Sequence, residues 1–243
     1  MVSGNPSLEN AKKQLSKDGV IAFPTDTLFG IAAQISSESG YRRIYEIKGR
    51  SEAKPVAVCF STIPQILQYL PALDRFRELL MHGRSEAKPV AVCFSTIPQI
   101  LQYLPALDRF RELLSRLLPG PVTLVVPRGK FIPEHVNPNC ETIGIRIPDN
   151  TISRLLSQAE PLCLTSANKS GAKSAITSND FADLHPLLDA IVETELGIPT
   201  SMSRAGSTVV ELNLQAKTYF IRRKGCAFDA TVASFTAEGF KSI

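Results

Sequence analysis

Gly19-Val20-Ile21-Ala22-Phe23-Pro24-Thr25-Asp26-Thr27-Leu28-Phe29-Gly30 is the stretch whose reading decides the fold. Val20 to Phe23 is a short apolar run rich in β-formers, the pattern of a strand buried on both faces. Pro24 has no N–H to give to a sheet ladder, so the strand ends there. Thr25, Asp26 and Thr27 then emerge at the rim, where open α/β sheets gather ligands. Gly30 lets a second backbone come close.

Around this stretch the composition sets limits. The chain has 243 residues, 44% of them hydrophobic, enough for a sizeable core in one large domain or two small ones. The formal charge of +4 suits anionic ligands such as nucleotides or RNA without requiring them. With no long apolar run and no secretory segment, the expectation is a soluble protein with no membrane partner. Lys12, Lys13 and Lys17 precede any arginine, which argues against a mitochondrial presequence and leaves a cytoplasmic location as the expectation. Cys59, Cys93, Cys140, Cys163 and Cys226 form no C-x-x-C pair and sit mostly in apolar runs, so no disulfide is expected. His82, His135 and His185 are too scattered for a zinc motif, and no protein-bound metal is expected.

Along the chain, Leu8–Lys17 and Tyr41–Lys48 read as helices. Val56–Phe60 reads as a strand, followed by helical stretches at Pro64–Tyr69 and Asp74–Leu80. Gly49 to Leu80 then recurs residue for residue as Gly83 to Leu114, a repeat of period 34. Solenoid units diverge in sequence and need about three or more copies to bury a core, so an identical pair reads as a surplus duplication with one copy filling the fold's slot. After it come strands at Val122–Val126, Thr142–Ile147 and Leu162–Leu164, with a helix at Thr151–Gln158 before the last of these. Phe181–Ile191 reads as helical, Pro199–Gly206 as loop, and Ser207–Leu212 and Thr218–Arg222 as closing strands. At least seven strands among short helices predict a single α/β domain with a twisted open mixed sheet. The boundaries expected are an N-terminal helix as lead-in at 1–18, the domain at 19–225 with the duplicated segments 49–82 and 83–116 inside it, and a tail at 226–243.

The strand ends carry residues of one flavour: Thr25, Thr27, Lys48, Arg50, Lys54, Thr123, Arg146, Ser166, Asn168, Ser207 and Arg223. There is no paired-carboxylate signature and no histidine triad. Hydroxyls, amides and cations suit the binding of polyanions and the neutralisation of charge on a transferring phosphoryl group. Arg146 stands inside an apolar strand and needs either a structural ion-pair partner or an anionic ligand. Ser166-Ala167-Asn168-Lys169 matches S-x-x-K, but no K-T-G follows, and no G-x-x-x-x-G-K loop is present.

Six motifs in order carry a resemblance: Phe23–Gly30, Lys48-Gly49-Arg50 with Lys54-Pro55, Pro119–Leu124, Gly144–Pro148, Leu164–Asn168 and Gly206–Val210. From about Gly19 to Gly225 the chain resembles the YrdC-like threonylcarbamoyl-AMP synthase family, and within it the short animal form. The resemblance implies a concave positive ligand cleft. It also implies a reaction of L-threonine, bicarbonate and ATP, with Mg²⁺ accompanying the ATP, to threonylcarbamoyl-adenylate and pyrophosphate. A downstream threonylcarbamoyl transferase complex and tRNA are the implied partners, through the N6-threonylcarbamoyl-adenosine of ANN-decoding tRNAs. Carried over by position, Lys48, Arg50, Thr123, Ser166, Asn168 and Arg223 hold ATP, with Lys48 and Arg50 catalytic. Thr25 or Thr27, Lys54, Arg146 and Ser207 hold threonine.

The chain departs from the family pattern in three places. Val192–Gly197 stands where the family often has Asp-Gly-Gly, Arg223-Lys224-Gly225 replaces Arg-Pro-Gly, and the duplication falls inside the ligand-bearing region. Lys48-Gly49-Arg50 favours the first copy as ligand-bearing, with Arg84 and Lys88 of the second as substitutes for Arg50 and Lys54. Two alternatives share the same basic surface or fold: a non-catalytic RNA- or tRNA-binding protein and a carbamoyl-adenylating domain. The absence of Trp and the presence of only five Tyr leave few aromatics for stacking on RNA bases.

Overall fold

In a computed structural model, residues 5–49, 91–138, 140–193 and 204–243 are described. Ten strands form one sheet: β1 (Ile21–Pro24), β2 (Phe29–Gln34), β3 (Ala91–Cys93), β4 (Val122–Pro127), β5 (Thr142–Arg146), β6 (Leu162–Ser166), β7 (Ala190–Ile191), β8 (Thr208–Asn213), β9 (Thr218–Arg223) and β10 (Lys241–Ser242). Their order across the sheet is β10-β9-β8-β4-β5-β3-β6-β2-β1-β7. The pairs β1/β7, β3/β5, β4/β8 and β9/β10 are parallel and the others antiparallel, so the sheet is mixed.

The helices are α1 (Pro6–Leu15), α2 (Glu38–Ile47), α3 (Ile97–Tyr103), α4 (Arg111–Leu117), α5 (Thr151–Leu156) and α6 (Phe228–Ala237). Their starts follow the capping rules. Asn5, Ser37, Thr96 and Asn150 accept backbone N–H groups at the heads of α1, α2, α3 and α5, satisfying donors that no helix bond can reach. One face of the sheet packs on α2, α3, α4 and α6 through a core that includes Tyr41, Ile44, Ile100, Leu113 and Phe235. On the other face Leu8, Ala11 and Leu15 of α1 and Ile152 and Leu156 of α5 pack against Ile21, Phe23, Cys93, Leu162 and Leu164. Full burial of each leucine, isoleucine or phenylalanine among them contributes about 1.5–3 kcal/mol. This second layer covers the half of the sheet around β1 and β7, where α1 and α5 make their contacts.

Alternation along a strand shows what the remaining half presents on the same face. Ile143 and Ile145 belong to the first core, so Arg146 points the other way, with Cys93 beside it in register. One step beyond the Leu124/Ile145 pair, Thr123 stands opposite Arg146. Val209 pairs with Thr123 on one side and with Arg223 on the other. A row of polar side chains therefore runs across β5, β4 and β9 next to the α1/α5 layer.

Several sequence expectations change. Phe29–Gln34, to which the sequence reading gives no element, is an interior strand that small residues (Gly30, Ala32, Ala33) disguise, and all but its last residue are buried. The Phe181–Ile191 stretch is a 3-10 segment, Ser178–Leu187, followed by edge strand β7. Residues 226–243 are not a tail. They form α6 and β10, and Phe235 and Phe240 enter the main core. The helix expected in the lead-in is present as α1, and it packs against β7.

The strand in the sheet comes from the second copy of the repeat. Ala91–Cys93 lies between β5 and β6, although the sequence favours the first copy as ligand-bearing. Continuity gives the reason: α4 runs through the end of the repeat, burying Leu113 and Leu114 from it and Leu117 from the unique sequence that leads into β4. The expected strand at 56–60 and helices at 64–69 and 74–80 lie outside the described residues. No described helix is long and apolar enough to cross a membrane.

Candidate anion-binding site

The turn after β1 is built by its own side chains. Thr25 Oγ1 donates to the Leu28 carbonyl (2.7 Å) and accepts the Thr27 and Leu28 N–H groups at 3.1 and 3.2 Å. Both threonines are buried, so Thr25 serves as the frame of the turn and Thr27 faces Arg146. Arg146 Nη2 donates to Thr27 Oγ1 at 2.8 Å and forms an ion pair with the Asp26 carboxylate. The second oxygen of Asp26 accepts the Asp149 N–H at 3.0 Å, which ties the β1–β2 turn to the chain leaving β5. The Arg146 and Asp26 side chains are only 9% and 7% exposed. Arg146 Nε is buried with no hydrogen-bond partner among the described residues. An unmet buried donor costs about 1–3 kcal/mol.

Next to this pair lies a second knot. Thr123 Oγ1 and Ser207 Oγ are 2.9 Å apart, and Arg223 reaches Ser207 through three hydrogen bonds of 2.8–3.1 Å, one of them to the hydroxyl. Burial lowers the Arg223 pKa, and the positive charge of Arg146 lowers it further. Two guanidinium groups thus share one face, and among the described residues Asp26 pairs with Arg146 while Arg223 has no carboxylate partner. Gly206 and Gly225 make this close packing possible. Gly206 has φ +67°, and a Cβ on Gly225 would fall 2.2–2.4 Å from the Ser207–Thr208 backbone.

The third group surrounds the end of β6. Lys48 is buried, and its ammonium donates to the Ser166 and Asn168 carbonyls at 2.6 and 2.8 Å, so it shapes the Ser166-Ala167-Asn168 turn. Asn168 spends both amide protons on the Lys169 and Ala172 carbonyls, and its Oδ1 is a buried acceptor without a partner among the described residues. This turn meets the first group through β2, where Gly30 pairs with Ser166 and the Phe29 carbonyl accepts the Ala167 N–H.

Of the residues singled out in the sequence, the structure thus joins Thr25, Thr27 and Arg146, joins Thr123, Ser207 and Arg223, and joins Lys48, Ser166 and Asn168. Ser207, expected to hold threonine, bonds directly to Thr123 and Arg223, expected to hold ATP, so the residues of the two expected ligand sets adjoin one another. Arg50, Lys54, Arg84 and Lys88 lie outside the described residues. Sequence reasoning placed Asp26 at the rim without a role, and its signal was there: it is the one carboxylate between two threonines just past a strand-ending proline. Two surface hollows, one lined by Glu38, Ser39, Arg42, Arg43 and Glu46 and one by Arg128, Glu134, Pro138 and Cys140, lie away from these groups.

A mixed open sheet with one buried arginine, one half-buried arginine and a file of hydroxyls at its rim makes this an α/β protein with a candidate site for small anions. More narrowly, the chain belongs to the Sua5/YciO/YrdC family. The family model Sua5_yciO_yrdC, described as telomere recombination, matches residues 13–82 and again 73–225, with one copy of the repeat inside each match. The human protein named threonylcarbamoyl-AMP synthase is 36% identical over 231 residues, covering 93% of this chain and 70% of that protein. A putative threonylcarbamoyl-AMP synthase of Methanocaldococcus jannaschii is 31% identical over 72% of this chain and 66% of that one. Among solved structures, P. abyssi Sua5 complexed with L-threonine superposes with a TM-score of 0.65 at 22% identity, over 90% of this chain. The chain spans 54% of that archaeal protein's length. E. coli YciO gives a TM-score of 0.62 at 18% identity, with 91% of each chain covered. These two structures share the fold.

Proposed function

We propose that this chain is a threonylcarbamoyl-AMP synthase, which makes threonylcarbamoyl-adenylate and pyrophosphate from L-threonine, bicarbonate and ATP as the first step of tRNA N6-threonylcarbamoyl-adenosine formation. The observation that carries the reading is Arg146, nine-tenths buried and fixed by Asp26 and Thr27, with a donor left over beside a second arginine. A guanidinium so placed is complementary to a carboxylate such as that of an amino acid.

In the reaction, the threonine amine adds to bicarbonate-derived carbon dioxide to form a carbamate. A carbamate oxygen attacks the α-phosphorus, the bond from that phosphorus to the bridging oxygen breaks, and pyrophosphate leaves. Charge moves onto the leaving group, so placement and electrostatics supply the catalysis. Arg146, with Thr27 and Ser207, orients threonine. Thr123 and Arg223 are assigned to the triphosphate, and Lys48, which holds the Ser166–Asn168 turn, is assigned to the nucleotide with it. Asn168 Oδ1 accepts only, which suits a nucleotide hydroxyl or amine better than a phosphate oxygen. Arg50 and Lys54, or Arg84 and Lys88 from the second copy, are the further ligand cations that the family resemblance supplies, and they lie outside the described residues. No group of three or more His, Cys, Asp or Glu that could hold a metal occurs among the described residues, and Mg²⁺ enters as the companion of ATP. The product passes to a transferase complex that acts on tRNA, and we place the reaction in the cytosol.

The test is pyrophosphate release from ATP with and without L-threonine and bicarbonate, on the full chain and on a form lacking Gly49 to His82, which joins Lys48 to Gly83-Arg84. Threonine- and bicarbonate-dependent release is expected from both, because β3 comes from the copy that is kept. Silence from both refutes the synthase. Salt-sensitive tRNA binding without turnover would then favour the RNA-binding alternative, and release that requires carbamoyl phosphate in place of threonine would identify the carbamoyl-adenylating one.

A further inference from the structure

Asp26 is bound on both carboxylate oxygens and neither bond is spent on a helix or a strand. One oxygen takes the Arg146 Nη2 proton, and the other takes the Asp149 N–H at 3.0 Å. A carboxylate that served only to neutralise a buried arginine would be expected to close on it with two parallel bonds. Among the described residues a single nitrogen of the guanidinium carries both contacts, to Asp26 and to Thr27 Oγ1, and the buried Nε meets no partner. The arrangement fixes the plane of Arg146 without using up its donors.

The charge count leads to the same residue. Arg146 and Arg223 lie close enough for the first to lower the proton affinity of the second, and Thr123 and Ser207 bridge the space between their strands. Two cations and one carboxylate leave this described group at +1. That matches one amino-acid carboxylate. Without Asp26 the group would stand at +2 and favour multiply charged phosphates, which the same reaction supplies as ATP and pyrophosphate.

We propose that Asp26 is a positioning and specificity residue. It orients Arg146 toward the threonine carboxylate and holds the local charge at the value that accepts a monoanion and disfavours binding of phosphate there. The inference rests on the synthase reading. Asp26 touches no reacting atom. Its effect therefore falls on the recognition of threonine rather than on the chemical step.

The test compares the wild-type chain with Asp26→Asn, which keeps the size and one acceptor and removes the charge, and with Asp26→Glu. Threonine KM, ATP KM, kcat and inhibition by inorganic pyrophosphate are measured by adenylate formation, and pyrophosphate binding is measured separately by calorimetry. In Asp26→Asn, threonine KM is expected to rise about tenfold or more, the scale of one misaligned charge-assisted hydrogen bond, with kcat at saturating threonine within about threefold. Pyrophosphate should bind more tightly and inhibit at lower concentration. Asp26→Glu should bring pyrophosphate affinity back to the wild-type value. Loss of packing alone would lower kcat and weaken both ligands together, and that pattern overturns the proposal, as does an unchanged threonine KM in an active variant. If Asp26→Asn does not fold, Thr27→Val removes the other contact to Nη2 at constant charge. It should raise threonine KM while leaving pyrophosphate affinity unchanged, and a change in pyrophosphate affinity there refutes the charge argument. A wild-type chain with no threonine-dependent turnover defeats the synthase reading and this inference with it, whereas an active wild type with an indifferent Asp26→Asn defeats the inference alone.

Discussion

Replacing Phe235 by alanine tests whether the last 18 residues are part of the fold. Phe235 on α6 is fully buried. It stacks on Tyr219 of β9 with ring centroids 4.7 Å apart and 20° between planes, and it meets Phe240 edge-on at 5.5 Å. Phe→Ala in a core costs about 3–5 kcal/mol, and lost aromatic pairing of about 0.5–1.5 kcal/mol per pair puts this site toward the upper end. For a chain of this size that corresponds to roughly 2–4 °C of Tm for each kcal/mol, or about 8–16 °C for 4 kcal/mol. The assay is urea unfolding followed by far-UV circular dichroism, with a thermal melt beside it. Phe220→Ala is the control, because Phe220 is the next residue on β9, faces the opposite side and is 48% exposed. It should change stability by no more than about 0.5 kcal/mol. A loss below about 1 kcal/mol for Phe235→Ala, or equal losses for the two variants, would show that α6 does not complete the core and would refute this account.

Two further predictions concern titration and thiol chemistry. Asp180 accepts the Thr177 and Ile176 N–H groups, which lower its pKa to about 2 from the ordinary 3.8. Its contribution is therefore present above about pH 4 and is lost as pH falls through 2. Tm against pH should flatten over that window in Asp180→Asn, and an unchanged acid limb would contradict the assignment. Among the described cysteines, Cys93 and Cys163 are buried and their thiols are pushed up, that of Cys93 to about 12, while Cys226 is exposed. Iodoacetamide at pH 8 with peptide mass mapping should label Cys226 before Cys93 and Cys163, which stay unmodified until denaturant is added. Early labelling of Cys93 would mean that β3 opens readily.

The sequence alone determined the class of fold and the kind of ligand. Val20–Pro24 announced its own strand and its end, because a proline and a run of apolar β-formers act over a few residues. The hydroxyls and cations at strand ends marked a candidate anion site for the same local reason, and six ordered motifs pointed to the family. Elements with weak local signals needed their neighbours. β2 is rich in glycine and alanine and becomes a strand by lying between β1 and β6, and β7 and β10 are two-residue edges that exist only as partners of β1 and β9. The Arg146–Asp26 pair joins residues 120 positions apart, and no spacing rule selects one carboxylate among many at that distance. The repeat shows the division most clearly. Both copies have the same propensities, residue for residue, so nothing local can rank them. What placed Ala91–Cys93 in the sheet is packing that only one copy can supply, because α4 carries the second copy's leucines onward into Leu117 and β4.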